Sequence, residues 1–532
     1  MIQQPLPRFF QIDKLYILLI ASFFFAFGCT TETVQQEEEK TYTNPVIMGD
    51  FPDPSIIRVE DTFYAVGTTN DFAPNYPIYE STDLVNWTRI ASVFSEPPAW
   101  ASEDFWAPEL FYKEGTFYLY YTTKRKDNGI ACIGVATADD ITKGFTDHGI
   151  IIEWGEEAID AYVFQDEDDK LYISWKAYGL TEGRDIEILS SELSADGLSL
   201  VGEHWTLTDF TQGWTGAGDE GQSIVKRGEY YYMFYSIGGC CDNRCDYRVM
   251  VSRSKDLQTG WEQFPEPILQ GGEEWRCPGH GTLVQTADNR DFYMYHSYNA
   301  TDFEFIGRQG MLDEIVWDDE TAWPHFKNGN TPSEEALLPF QNTQQEEITN
   351  WEDGFSSDKN LAFWEWDVKV AKPNAKLENG ELLILPSHTG VNFLGLRPKM
   401  GDYSMVTEVK LSESQNGIGV YSNQEHVLAI TTSNSEVQVY KIQEGNKEVL
   451  AKESSTGIAS IFLKYEARDG RYYKFYWSTD ETNWQEMKIG NAEEFDASFI
   501  AQWGFSPRAG FIVDGQSSKS ANYSILKVGY VK

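Results

Sequence analysis

Three carboxylates and a histidine stand at the starts of a repeated pattern, and their types suit acid–base chemistry. Asp53, Asp160 and Glu220 open the first, third and fourth of five copies, while Ala107 and His280 open the second and fifth. Two carboxyl groups at one centre, one protonated and one ionised, can give and take a proton on a reacting bond. A third carboxylate beside the protonated one raises its cost of ionisation and helps it keep the proton. Singly, each has an ordinary reading: Asp53 before Pro54 is a turn former, and Asp160 and Glu220 are two among 83 acids. Their shared phase in the repeat is what singles them out.

The elements that must position them are β-hairpins. Each copy is a short β-rich run, a polar turn and an aromatic run, as in Ala107-Pro-Glu-Leu-Phe-Tyr followed by Thr116-Phe-Tyr-Leu-Tyr-Tyr. Glu60-Asp61, Glu114-Gly115, Asp166 to Asp169, Arg227-Gly228 and Asp288-Asn289 supply the turns. Successive starts lie 53 to 60 residues apart, enough for a four-stranded sheet each, which predicts a five-bladed β-propeller. A second pattern at Ser81 to Trp87, and again at Ser252 to Leu257 with Trp261, marks the outer strands. In a propeller the five starts converge on one mouth of the axial channel. The acidic run Asp166 to Asp169 lacks the Gly and the terminal Glu of an EF-hand loop and falls in phase as a turn. Asp50 rivals Asp53 as a base, but it precedes the strand.

With 42 Lys+Arg against 83 Asp+Glu, the formal charge is −41. Such a field repels phosphate backbones and excludes nucleic acid as a partner. Aromatic residues reach 15%, a composition suited to strands and to flat surfaces for sugars. Arg8 and Lys14 precede an apolar run, Leu15 to Phe27, which is shorter than the about 20 residues a membrane span needs. Residues 1–28 therefore read as an export signal. The junction Ala26-Phe27-Gly28-Cys29 resembles a bacterial lipoprotein site with Cys29 lipidated, although Phe27 stands where a small residue is usual. Residues 29–41 form an acidic tether, so membrane contact is expected only through the Cys29 anchor, at the periplasm or cell surface. After Cys29 there are Cys132, Cys240, Cys241, Cys245 and Cys277, an odd number whose pairing sequence does not assign. A zinc site from Cys241, Cys245, Cys277 and His280 is a weaker alternative to disulfides, because the ligand spacing is unusual.

Asn44-Pro45, Gly49 to Ser55, Trp106-Ala107-Pro108, Ile159-Asp160, Glu220 and Pro278-Gly279-His280-Gly281 together resemble glycoside hydrolase family 43. The resemblance runs from about Asn44 to Trp323. It implies a five-bladed propeller and inverting, exo-acting hydrolysis of arabinose- or xylose-containing glycans. It also implies Asp53 as general base, Glu220 as general acid and Asp160 as the carboxylate that orients the acid and tunes its pKa. Inversion requires an ionised carboxylate holding water on one face of the sugar and a protonated one on the leaving oxygen. Trp106 is expected to stack on a sugar or pack in a blade. Arg308 matches an arginine that reaches the pocket, to hold a sugar hydroxyl or influence the acid. His280 is expected to face the channel, where some members hold a calcium ion or water; no organic cofactor is expected. Ala161 and Gln222 stand where the family often has Pro, which leaves the sugar open.

The catalytic propeller is assigned to residues 42–326 and a polar linker to 327–349. Residues 350–532 alternate in segments such as Tyr403 to Val409 and Tyr473 to Ser478, predicting an antiparallel β-sandwich (jelly-roll). This domain resembles the concanavalin-like C-terminal domain of some family members, and the short linker favours a fixed wall for the propeller pocket over an independent sugar-binding module. The expected substrate is an oligosaccharide or polysaccharide ending in α-L-arabinofuranose or β-D-xylose. The alternatives are a non-catalytic propeller lectin, an exo-β-galactosidase and a retaining furanosidase.

Overall fold

Four strands follow each of the five repeat starts. The computed structural model describes residues 39–181, 184–208 and 219–531. The blades open on inner strands Ser55–Val59, Trp106–Lys113, Glu157–Gln165, Glu220–Arg227 and Trp275–Gln285, each heading a four-stranded antiparallel sheet. Local chemistry dictates these hairpins. Thr116–Lys124 alternates half-buried and buried positions until it enters the core, a pattern that β-branched and aromatic residues satisfy. Glu114 and Gly115, between it and Trp106–Lys113, both have positive φ, 50° and 90°, as a two-residue hairpin turn requires. The run Asp166 to Asp169 is a longer hairpin turn, with the Asp166 N–H bonded to the Lys170 carbonyl at 2.9 Å and positive φ, 65°, at Asp169.

The propeller is closed by its own beginning. The Asn44 amide donates to the Leu312 carbonyl at 3.0 Å and its Oδ1 accepts from the Leu312 N–H at 3.0 Å, tying the chain start to the fifth blade. Thr41–Thr43 pairs with Glu335–Leu337, so the segment after the propeller returns to the chain start, and Ala336 and Leu338 bury beside Tyr42.

The C-terminal domain is a sandwich of a nine-stranded and a six-stranded sheet. Between them lies a core that includes Met405, Val420, Ile430, Leu463 and Phe511, all nearly inaccessible. Arg508–Asp514 runs within the six-stranded sheet, between Val391–Leu396 and Asn416–Asn423. The propeller meets this domain through a strand pairing of Phe72–Ala73 with Trp366–Asp367 and through rings, Phe72 lying against Phe393, Tyr421 and Phe505. The contact is thus fixed by backbone bonds as well as apolar area.

Residues 1–28 and Cys29 lie outside the described residues. Among those described, no helix is long and apolar enough to cross a membrane. Two disulfides form, Cys240–Cys241 and Cys245–Cys277, and Cys132 is free and buried. The sulfurs imagined as zinc ligands are therefore bonded to each other and to Cys240, which removes that alternative.

Candidate active site

The blade starts share a backbone signature. Asp53, Ala107, Asp160, Gly221 and His280 all have positive φ, at 52°, 39°, 59°, 58° and 41°. In the four later blades this residue lies in a β-bulge: Ile159 pairs with Lys176 and Tyr162 with Ser174, so the inner strand advances three residues while its partner advances two. The same step separates Glu220 (opposite Ser236) from Ser223 (opposite Phe234). Glu220 is therefore one residue out of phase with Asp53 and Asp160, a correction to the repeat alignment. It stands level with Trp106 and Ile159, and Gly221 holds the equivalent position. A Cβ on Gly221 would lie 2.6 Å from His280 Cγ, so the blade-four acid has to come from the preceding residue.

The second strand of each blade supplies a matching group for the next blade start. The Asp53 N–H donates to His296 Nδ1 at 3.1 Å, the Ala107 N–H to Thr68 Oγ1 at 2.7 Å, the Asp160 N–H to Thr122 Oγ1 at 3.1 Å and the His280 N–H to Ser236 Oγ at 2.8 Å. In blade three the position is Lys176. An ammonium cannot accept, and it instead reaches the carboxylate beside Gly221: Lys176 Nζ lies 2.5 Å from Glu220 Oε2.

Asp53 is 7% exposed and surrounded by donors. Arg308 Nη1 donates to its Oδ1 at 2.9 Å and Thr68 Oγ1 to its Oδ2 at 2.8 Å, while His280 Nδ1 lies 3.4 Å away. Burial alone would push this carboxyl up; Arg308 and His280 outweigh it and hold it well below the usual carboxylate range. Asp53 is therefore ionised.

Asp160 and Glu220 behave oppositely. Burial pushes Asp160 up to about 6, opposed by His280 and reinforced by Glu220. Burial also pushes Glu220 up, but the Lys176 ammonium and the Tyr247 hydroxyl, donating to Oε1 at 2.8 Å, bring it below its ordinary value. The sequence reading has Asp160 raising Glu220. The structure adds a cation on Glu220, so in the free protein the proton of this pair rests on Asp160. Tyr247 reaches Glu220 by passing over Gly279, where a Cβ would lie 2.2 Å from its ring.

Asp53, Asp160, Glu220, Trp106, Arg308 and His280 all line one cavity of about 320 Å³. Trp106 is half-buried, its indole N–H bonded to Asn70 Oδ1 at 3.0 Å. Arg308 contacts Asp53, the expected base, and its Nη2 donates to the Gly504 carbonyl at 3.3 Å. Asp50 does not line the cavity; it bonds Arg508. Gln222 donates to the Asp160 carbonyl at 2.6 Å and buttresses that strand start. His280 directs Nδ1 at Asp53 and, 3.9 Å away, at Asp160. The positive charge beside Asp53 is already that of Arg308, and among the described residues no group of three or more His, Cys, Asp or Glu is arranged to hold a metal. These surroundings do not fit a hard cation.

Sequence reasoning missed Lys176, Tyr247, His296 and Thr68. Applying the repeat phase to the second strands would have found all but Tyr247. The expectation that the C-terminal domain walls the pocket agrees with the cavity lining. Trp503, 62% exposed, and Gly504 come from the sandwich and complete the cavity wall.

The family model Glycosyl hydrolases family 43 matches residues 42–322, and the model Beta xylosidase C-terminal Concanavalin A-like domain matches residues 368–511. Among curated proteins, the chain is 30% identical over 331 residues to a xylan 1,3-beta-xylosidase of Vibrio sp, covering 56% of this chain and 60% of that one. It is 28% identical over 319 residues to a non-reducing end alpha-L-arabinofuranosidase of Bacteroides ovatus, covering 57% of this chain and 56% of that one. The chain thus spans well under two thirds of the length of these relatives. A solved xylan beta-1,4-xylosidase of Bacillus halodurans superposes with a TM-score of 0.80 at 22% identity, over 92% of this chain and 99% of that one.

Proposed function

The chain belongs to family 43 of the glycosyl hydrolases, and we propose that it is an exo-acting, inverting enzyme releasing terminal β-D-xylose or α-L-arabinofuranose from plant-type glycans. One observation carries the reading: a single cavity is lined by Asp53, whose carboxylate the Arg308 guanidinium bonds at 2.9 Å and holds ionised, and by the buried carboxyl pair Asp160 and Glu220, where burial of Asp160 favours keeping a proton. Those are the two states that inversion requires at once.

Asp53 is the general base. Its ionised carboxylate takes a proton from water as that oxygen attacks the anomeric carbon. Glu220 is the general acid, giving its proton to the glycosidic oxygen as the carbon–oxygen bond breaks. Asp160, coupled to Glu220 and raised by burial, is the store from which Glu220 is loaded. Lys176 then stabilises the Glu220 carboxylate left behind, so the donor's conjugate base is favoured as the leaving group departs. A cavity of about 320 Å³ lies at the small end of the roughly 300 to 1,000 Å³ of ligand sites, supporting capture of one terminal sugar. The proposal includes export through residues 1–28 and a lipid on Cys29, supported by the Ala26 to Cys29 junction.

The test is release of nitrophenol from β-D-xyloside, α-L-arabinofuranoside and β-D-galactoside by the purified mature chain. Turnover of one pentoside giving product of inverted configuration in the first minutes, lost in Asp53→Asn, supports the reading. Product of retained configuration would replace it with the retaining furanosidase, and sugar binding without turnover on any substrate would replace it with the lectin.

A further inference from the structure

The cavity has one wall that the proton chemistry does not use. The segment Gly238-Gly239-Cys240-Cys241 lines it on the side of Glu220, and the two cysteines are bonded to each other. Because Glu220 pairs with Ser236, the chain leaving Tyr230–Ile237 continues past the acid towards the mouth. On the reading that Glu220 protonates the leaving oxygen, this wall faces the leaving group and not the sugar being released.

A disulfide between neighbouring residues closes a small ring that includes their peptide bond. Neither side chain keeps a free rotamer, and the outward face is two polarisable sulfurs with their methylenes. The glycines before it carry no side chains, so the side-chain surface of the segment is that of the two cysteines. The ring is also held on three sides. The Gly239 N–H donates to Asp246 Oδ1 at 2.8 Å and the Asp246 N–H to the Gly239 carbonyl at 3.0 Å. Cys245–Cys277 fastens the far end of the loop to the inner strand that carries His280. The Gly504 N–H donates to the Cys241 carbonyl at 2.9 Å, next in the chain to Trp503, which also lines the cavity.

We propose that the Cys240–Cys241 disulfide is a rigid apolar platform for the C–H face of the sugar on the leaving-group side, and that it sets the preference for glycans over small leaving groups. A fixed apolar surface binds a sugar ring without losing side-chain entropy, as a flat aromatic does.

The mature chain tests this with a disaccharide of the accepted pentose and with the corresponding glycosyl fluoride, which has no second sugar and departs without protonation. In Cys240→Ser/Cys241→Ser, kcat/KM for the disaccharide is expected to fall about tenfold more than that for the fluoride, mainly through KM. Cys240→Val/Cys241→Val, which restores apolar bulk, should recover most of that ratio. An unchanged ratio, or an equal fall on both substrates, would overturn the proposal. If the serine pair does not fold, wild type reduced by a phosphine, with Cys240 and Cys241 alkylation located by mass spectrometry, gives the same ratio and is read in the same way. Glu220→Gln in the same panel keeps the two readings apart: loss of disaccharide turnover with fluoride turnover retained supports the acid assignment whatever the cysteines do.

Discussion

Arg508 of the sandwich donates through Nη2 to Asp50 Oδ2 at 3.0 Å, three residues ahead of Asp53 in the propeller. The same guanidinium bonds Glu365 Oε2 through Nε at 2.6 Å, and Arg397 bonds Glu365 Oε1 at 2.7 Å. All of these charges are buried, with Arg508 and Glu365 side chains at 0% exposure and Asp50 at 1%. Gly307, next to Arg308, packs so closely that a Cβ there would lie 2.3 Å from Asp50 Oδ1. The sandwich thus anchors the segment carrying the base and abuts the arginine that ionises it. Arg508→Met removes one cation from a buried network and leaves Asp50 without its partner. The expected cost is about 3 to 5 kcal/mol in urea denaturation, accompanied by loss of kcat. An unchanged denaturation midpoint would show that the network contributes no net stability.

The pH profile of kcat/KM follows from the two opposite shifts. Asp53 is held well below the usual carboxylate range, so activity should persist on the acid side until the fold itself fails. The Asp160–Glu220 pair loses its proton as pH rises through about 6, the value to which burial pushes Asp160. Activity should therefore fall with a one-proton slope above about pH 6. Asp160→Asn removes the proton store and the neighbouring negative charge. Both changes let Glu220 deprotonate more easily, so the alkaline limb should move to lower pH. A limb that moves upward would contradict the coupling.

Lys176 acts on the same limb with the opposite sign. Its ammonium favours ionised Glu220, so Lys176→Met should raise the Glu220 pKa and carry the alkaline limb upward. It should also cost on the order of a hundredfold in kcat at the optimum, because the carboxylate left after proton transfer then lacks its cation and keeps the Tyr247 hydroxyl. Paired pH–rate profiles for wild type and variant separate these effects.

The hairpins, the blade period and the convergence of Asp53, Asp160 and Glu220 were legible because strand and turn chemistry is local and repeats along the chain. The one-residue offset of Glu220 was not. A β-bulge leaves no composition signal; the strand register, the φ of 58° at Gly221 and its approach to His280 reveal the offset. Lys176 was hidden for a related reason: in sequence it is an ordinary strand lysine, and it becomes a pKa-setting cation only because the bulge brings Glu220 opposite its end. Arg308 was found through family likeness, but its partner was not. Its bonds to Asp53 and to the Gly504 carbonyl join residues far apart in the chain, and no pattern encodes such pairs.

The offset itself can be tested with two glycines of similar backbone conformation. Gly221 has φ +58° and a Cβ there would meet His280 Cγ at 2.6 Å; Gly228, in the turn at the other end of the same strand, has φ +60° with nothing within 4 Å. Alanine at either position carries the left-handed penalty, about 1 kcal/mol. Only Gly221→Ala must also displace His280 or push residue 220 away from Lys176 and Tyr247. Gly228→Ala should lower thermal stability slightly and leave kcat near wild type, whereas Gly221→Ala should lose activity by a hundredfold or so, since small misplacements of reacting groups have that effect. Equal losses in the two variants would mean that backbone strain alone is being read. A loss confined to Gly221→Ala would mean that the glycine is there to let the acid and His280 share one mouth.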